Sequence, residues 1–301
     1  MLTVRISALS LLIAAALSST AFAIDSNFYV IPVAGHVHGS NGTLYQSDIA
    51  IRNFQPAPLQ INLVLIENGE ASPDNNAAVL LPGGASGTIS VPANGSVLLA
   101  DVLANQRGGG DSFGAILIGA SAPFAVTSRS YTTNAGGGTV GQSVPAFRDF
   151  LESSTGTTDA SMPVAYITGV MATAATRTNL GFVAAANASS LAPLVVSTCL
   201  RGLDGRLIGS ARTFAIAQGL SAHIQFSSRE ITTDPLPIAT AEVRILSGDG
   251  AVVPYASVVD NVSSDAVFIS GSFPPNRSVG GLSKGTLQSA FQRLLEKQSS
   301  R

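Results

Sequence analysis

The sequence has little charge, no tryptophan and a single cysteine. Only 11% of its 301 residues are charged, and 16 basic side chains stand against 18 acidic ones. Proteins that bind nucleic acids neutralise phosphates with clustered Lys and Arg, and this chain has no basic excess to supply such a cluster. One Cys also excludes an internal disulfide framework and a cysteine-rich metal site. The chain therefore belongs to neither of these classes.

Small and apolar residues are abundant instead. Hydrophobic residues make up 46% of the chain, and there are 30 Gly and 15 Pro. This is ample apolar material for one or two cores. Low charge combined with many Gly, Ser, Thr and Ala residues indicates a β-rich protein of the extracytoplasmic space.

The first 23 residues have the order of a secretory signal peptide. Arg5 is followed by an apolar run, and Ala21-Phe22-Ala23 matches a cleavage site. The apolar run is too short to span a membrane. We expect cleavage near Ile24 and a mature protein that is secreted, either to the periplasm or to the extracellular space.

A second uncharged stretch covers residues 178–200. It contains Asn187 and Pro193, which are costly in hydrocarbon and favour a turn. We expect two buried strands there, and hence no transmembrane segment after removal of the signal.

The chain repeats itself once. Pro32-Val33-Ala34 aligns with Pro163-Val164-Ala165, and without a gap Asp48-Ile49 then aligns with Asn179-Leu180. Two repeats of this length indicate a domain duplication. The predicted division is a signal peptide at 1–23, a first domain at 24–147, a linker at 148–160, a second domain at 161–273 and a tail at 274–301.

Short β-branched runs alternate with turn residues in both repeats. Many short strands at this spacing, without helical segments between them, are typical of an antiparallel sandwich. The fold class predicted is all-β, with two tandem β-sandwich domains. In the first repeat the runs lie at residues 49–51, 61–66, 88–91, 97–99, 115–118 and 124–127.

One helix is predicted near the C-terminus. An apolar stripe with helical spacing identifies it, formed by Leu287, Ala290, Phe291, Leu294 and Leu295. The stripe favours a helix that docks onto a sandwich face or forms a frayed tail, and the alternative is a helix that binds a partner or a membrane surface.

His36 and His38 form the one pattern with metal-like spacing. In a strand, both imidazoles would share a face and could hold Zn²⁺ or Cu²⁺ together. Two ligands do not make a stable site, and the sequence does not place a third, such as Asp48 or His223. Gly35 and Gly39, on either side of the pair, favour an exposed loop instead.

No catalytic constellation is recognisable. The chain has no G-x-S-x-G elbow, its acidic residues are scattered, and Cys199 lies in an apolar run expected to be core. We therefore predict no catalytic residues, no cofactor and no enzymatic activity.

Two stretches resemble an uncharacterised Ig-like domain that recurs in secreted bacterial proteins. They read NGTLYQSDIAIRN at residues 41–53, and YASVVDN with DAVFI at residues 255–269. The second repeat lacks the Asn-Gly-Thr turn. The resemblance implies Ig-like β-sandwiches, present twice in tandem, with a cell-surface or secreted role, and it brings no catalytic residues.

The function expected is a non-enzymatic structural, adhesive or ligand-presenting role in the cell envelope or outside the cell, with a surface protein or a glycan as partner. The alternatives are a carbohydrate-binding or enzyme-accessory module, a hydrolase with a site between the domains, and a subunit that exchanges strands with partners. Binding is expected on loops or at exposed strand edges.

Overall fold

The computed structural model describes residues 26–39, 42–69, 78–81, 88–107, 110–134, 136–153, 163–273 and 285–299. The predicted signal peptide lies outside these ranges, as do most of the predicted linker and the start of the tail. The described chain is mostly β, its sheets are antiparallel, and a short helix stands near the C-terminus, which confirms the coarse fold prediction.

A single eight-stranded sheet forms the first unit of the structure. Its eight strands are those of the described residues before 145: β1 (Ser26–His38), β2 (Leu44–Asn53), β3 (Leu59–Glu67), β4 (Ala78–Leu81), β5 (Thr88–Val91), β6 (Ser96–Leu99), β7 (Ser112–Thr133) and β8 (Thr139–Val144). A short helix, α1 (Val102–Arg107), connects β6 to β7. The main strand order is β4-β3-β7-β1-β2-β6, with β5 beside β3 and β8 beside β7.

Strand β7 closes this sheet almost into a barrel. It pairs with β1 and β3 along its first half, then with β2 and β8 along its second half, while β1 also pairs with β2. The sequence predicted two strands here, residues 115–118 and 124–127, because turn-forming Gly and Pro residues separate the two runs. Pro123 lies where β7 changes neighbours, so one 22-residue strand accommodates it.

The second unit consists of two sheets. Its strands are β10 (Val164–Ala172), β11 (Thr176–Ala186), β12 (Leu194–Arg201), β13 (Leu207–Ile216), β14 (Ser221–Ser227), β15 (Leu236–Ser247), β16 (Gly250–Asp260) and β17 (Ala266–Ser270). One sheet has the order β10-β15-β12-β13 and the other β14-β11-β16-β17. Strand β9 (Leu151–Ser153), inside the predicted linker, pairs with β16.

The strand pairings of the two units correspond in chain order. Strand β7 matches β15 and β16 together, which are separated at Gly248, a residue with φ of +80°. Six pairings of the first unit, β1–β7, β3–β7, β3–β5, β2–β6, β2–β7 and β7–β8, thus have counterparts in β10–β15, β12–β15, β12–β13, β11–β14, β11–β16 and β16–β17.

Each unit has its own apolar core. In the first, Ile31, Ile51, Leu63, Ile116 and Phe124 are among the fully buried side chains enclosed by the curved sheet. In the second, the core fills the space between the two sheets and includes Phe182, Val196 and Ile245.

A third core joins the units. Val30, Val64 and Leu117 on the outer face of the first unit pack against Val183 and Val253 on the outer face of the β11–β16 sheet. Strands β11 and β16 therefore carry apolar side chains on both faces. One face packs in the core of the second unit, and the other packs against the first unit.

Helix α2 (Gly285–Ser299) covers this third core, which confirms the predicted C-terminal helix. Leu287, Ala290, Phe291 and Leu294 from its apolar stripe are buried in the third core, and Phe291 lies 5.4 Å from Phe28, centroid to centroid. The stripe therefore docks the helix within the molecule. None of the described helices has the length and hydrophobicity needed to cross a bilayer.

Candidate functional site

The side chains at the end of strand β1 alternate between two sides of the sheet. His36 and His38 point to one side of the β1–β2 pair, whereas Gly35 and Val37 line a cleft on the other side. Both histidines belong to a strand, so the loop favoured by the flanking glycines is wrong: the ladder with Leu44–Gln46 continues to His38.

His36 is held by a carboxylate. Its Nδ1 lies 2.9 and 3.0 Å from the two carboxylate oxygens of Asp101, and Gln46 donates to the same carboxylate at 2.6 Å. Asp101 has φ of +42°, an uncommon conformation for a residue with a side chain. The backbone N–H of Asp101 donates to Asp48, which fixes this turn to strand β2.

Asp48 anchors the neighbouring ion pair. Arg129 donates to its carboxylate from Nε at 3.0 Å and from Nη2 at 2.8 Å, and the Tyr131 hydroxyl lies 3.3 Å away. Burial raises the pKa of Asp48, but the hydrogen bonds from Asp101 and Arg129 outweigh it, so the pKa is lowered. The carboxylate is therefore ionised, and both of its oxygens accept hydrogen bonds from groups of the protein itself.

His38 pairs with a different acid. Its Nδ1 lies 2.7 Å from Asp111, and both side chains are at least half exposed. Hydrogen bonds from His38 lower the pKa of Asp111. Both histidines thus have Nδ1 engaged by a carboxylate.

The proposed third metal ligands lie elsewhere. Asp48 is saturated by Arg129 and Asp101, and His223 is buried between the units. In the part of the chain that the structure describes, no group of three or more His, Cys, Asp or Glu is placed to hold a metal ion. Metal binding by His36 and His38 stays a prediction for titration with Zn²⁺ and Cu²⁺.

Cys199 is not placed for nucleophilic chemistry. It lies on the outer face of β12, not in the core as the sequence suggested, with Sγ 3.6 Å from Glu242. Burial and the negative charge of Glu242 raise the pKa of the thiol, so it stays protonated at neutral pH. Glu242 itself is paired with Arg201 at 2.7 Å.

A cleft of about 140 Å³ lies between the two units. Strands β1, β2, β7 and β8 form one wall, and β11, β14, β16 and β17 form the other. The lining residues are Val33, Gly35, Val37, Tyr45, Phe113, Ser130, Gly141, Gln142, Arg177, Asn179, Gln225, Ser257, Val259 and Ala266. This set combines three valines with six neutral polar side chains and one cation.

A buried aromatic cluster borders the cleft. The Tyr255 hydroxyl donates to Gln225 Oε1 at 3.0 Å and lies 2.7 Å from His223 Nε2. Burial raises the pKa of Tyr255 and lowers that of His223 to about 3. Nδ1 of His223 makes no hydrogen bond of normal geometry. The nearby Pro32 carbonyl raises the pKa of His223, but burial lowers it by more. Both rings are neutral parts of the scaffold.

The sequence did not identify this cleft, because its lining comes from eight strands and from both units. A partial signal was present: Arg177 and Asn179 alternate along β11 where the uncharged stretch begins. The same face of β11 is polar at Arg177 and Asn179 and apolar from Gly181 onwards. Such a change from polar to apolar residues indicates where a buried interface meets solvent.

No family model matches the chain, and no curated protein matches it. We therefore infer the function from the geometry of the cleft.

Proposed function

We propose that the protein is a secreted, non-catalytic binding protein of two tandem Ig-like β-sandwich units, which presents a small ligand in the cleft between them. The observation that carries the proposal is the cleft itself, where polar side chains of both units converge beside apolar side chains. Ligand sites in proteins have this composition and often lie between domains.

Tandem units are supported by two independent observations. The sequence repeat aligns Pro32 with Pro163 and Asp48 with Asn179, and six strand pairings recur in the same chain order. Secretion is supported by the signal-like sequence of residues 1–23.

A binding role is favoured over hydrolysis by the chemistry of the cleft. None of the described residues that line it is a carboxylic acid, a histidine or a cysteine. Hydrolysis between the units would require such groups as acid, base or nucleophile.

A carbohydrate-binding module receives less support. Such modules present exposed aromatic rings to sugars, and Phe54 is the one aromatic among the large exposed apolar side chains of the described residues. The cleft is also smaller than the roughly 300–1,000 Å³ of pockets for drug-sized ligands, which favours a small ligand.

An NMR screen tests the proposal. The full mature protein is titrated with a panel of small carboxylates, amides, alcohols and monosaccharides, and backbone amide shifts are followed. We expect at least one compound to move the amides of Asn179, Gln142 and their neighbours. Ala266→Phe fills the cleft and should abolish these shifts, whereas Ala211→Phe adds the same ring at an exposed position and should not.

If no compound of the panel perturbs the cleft, or if Ala266→Phe leaves the shifts unchanged, the cleft is not the binding site and the proposed function is wrong.

A further inference from the structure

We infer that the cleft selects a small monocarboxylate, with the carboxylate at Arg177 and Asn179 and the hydrocarbon against the apolar side chains of the cleft. This inference rests on the proposed function and adds the chemical class of the ligand.

The charge of the cleft is unbalanced. Arg177 is its one cation, and its Nη1 donates to the amide oxygen of Asn261 at 2.9 Å, a neutral acceptor. Among the described residues Arg177 makes no ion pair, whereas Arg129 and Arg201 are each paired with a buried carboxylate. A half-buried guanidinium in this setting favours an anionic ligand.

The amide groups of the cleft present donors. Gln225 Oε1 accepts from Tyr255 at 3.0 Å, and Gln142 Oε1 accepts from Ser257 at 3.1 Å. Each carbonyl oxygen already accepts one hydrogen bond, whereas the NH₂ groups of these two amides donate none to the described residues, so they are available to a ligand. These NH₂ donors suit a carboxylate, which is an acceptor-only group when ionised.

The first unit supplies its own carboxylate at the matching place. Asp48 on β2 stands opposite Arg129 on β7, and the aligned residue in the second unit, Asn179 on β11, stands opposite Ser257 on β16. Arg177 aligns with Gln46 and not with Arg129, so the second unit has its arginine on β11 beside Asn179, and no acid of the described residues forms an ion pair with it. A ligand carboxylate would supply that pairing.

The rest of the cleft selects among anions. Val33, Val37 and Phe113 of the first unit face Val259 of the second, and these apolar side chains suit a short hydrocarbon. Phosphate and sulfate would lose strong hydration against these side chains with one cation to compensate them. An amino-acid zwitterion would leave its ammonium group without a carboxylate partner among the described lining residues.

Butyrate and butyramide form the test pair, since they differ in charge but hardly in shape. NMR titrations of the mature protein should give butyrate an affinity at least tenfold higher than butyramide. Arg177→Gln should weaken butyrate at least tenfold and leave butyramide unchanged, while Arg206→Gln, at an exposed arginine, should change neither.

Asn179→Asp provides a second variant, which places in β11 the acid that β2 already has. Its carboxylate should pair with Arg177 and reduce butyrate binding at least tenfold. Dispersed amide spectra of both variants serve as the control for folding.

Equal affinities for butyrate and butyramide, or no effect of Arg177→Gln and Asn179→Asp, would overturn the inference while the cleft remains a ligand site. Absence of shifts at the cleft for every compound of the wider panel would overturn the proposed function as well.

Discussion

The Tyr255 hydroxyl lies 2.7 Å from Nε2 of His223, and both side chains are completely buried between the two units. The rings stack at 6.0 Å, and Phe113 of the first unit meets His223 edge-on. Because His223 is buried there as a neutral ring, we expect the stability of the folded protein to depend on pH in the acid range.

Acid should destabilise the protein through His223. Burial disfavours the charged ring and lowers the pKa of His223 in the folded protein from its usual 6.5 to about 3. The unfolded state therefore binds the proton first, so the stabilisation is complete above pH 6.5 and is lost as the pH falls towards 3. We expect a loss of about 2 kcal/mol between pH 7 and pH 5 from this residue.

Urea unfolding at pH 7 and pH 5 measures this loss of unfolding free energy. The loss due to His223 should be absent in the His223→Gln variant. In the native protein, NMR signals of the His223 ring should show no protonation down to pH 4. Protonation of the His223 ring near pH 6 would contradict its lowered pKa. So would a His223→Gln variant that loses as much stability between pH 7 and pH 5 as the unmodified protein.

Gly181 should not tolerate a side chain. The ring of Tyr255 lies over it, and an added Cβ would overlap the ring atoms. Since Tyr255 is fully buried and cannot move aside, Gly181→Ala should cost about 1–3 kcal/mol of unfolding free energy. Gly136→Ala, where an added Cβ has only an ordinary contact with Asn134, should change stability by less than about 0.5 kcal/mol. Equal effects of the two substitutions would show that the Tyr255 ring does not constrain this position.

Asp48 should contribute more to stability than an exposed acid. Asp48→Asn removes a charged acceptor from Arg129, Tyr131 and the Asp101 backbone, and we expect a loss of about 2 kcal/mol. Asp204→Asn breaks an exposed pair with Arg206 at 3.6 Å and should be nearly neutral. Chemical denaturation of both variants decides the matter, and a neutral Asp48→Asn would mean that the network adds no stability.

Helix α2 should be part of the folded core. Phe291 is buried against Phe28 and over Gly119, so Phe291→Ala should lower the free energy of unfolding by about 3–5 kcal/mol. Gln292→Ala, at the exposed neighbouring position, should have little effect. Thermal unfolding of the two variants at matched pH makes the comparison, and similar melting temperatures would argue against docking.

Much of the fold was predictable from local sequence. Alternating apolar runs and turn residues indicated antiparallel strands, and the stripe from Leu287 to Leu295 indicated the helix, because both signals depend on periodicity within one element. The length of β7 was not predictable, since Pro123 breaks a ladder only where its missing N–H faces a partner.

The interface and its cleft were beyond sequence reasoning for a different reason. Val183 and Val253 are buried by the other unit, and periodicity along one strand does not say what covers its second face. The pairing of His36 with Asp101 likewise joins residues 65 positions apart in the chain. Such contacts depend on how the strands pair and how the two units pack. The sequence repeat indicates two similar units but specifies neither arrangement.

A crystal structure of the mature protein grown with butyrate tests the central claim most directly. The account predicts density for the ligand between the two units, with its carboxylate about 3 Å from Arg177 and Asn179 and its hydrocarbon against Val33 and Val259. A cleft without butyrate at a saturating concentration, or butyrate bound away from Arg177, would contradict it.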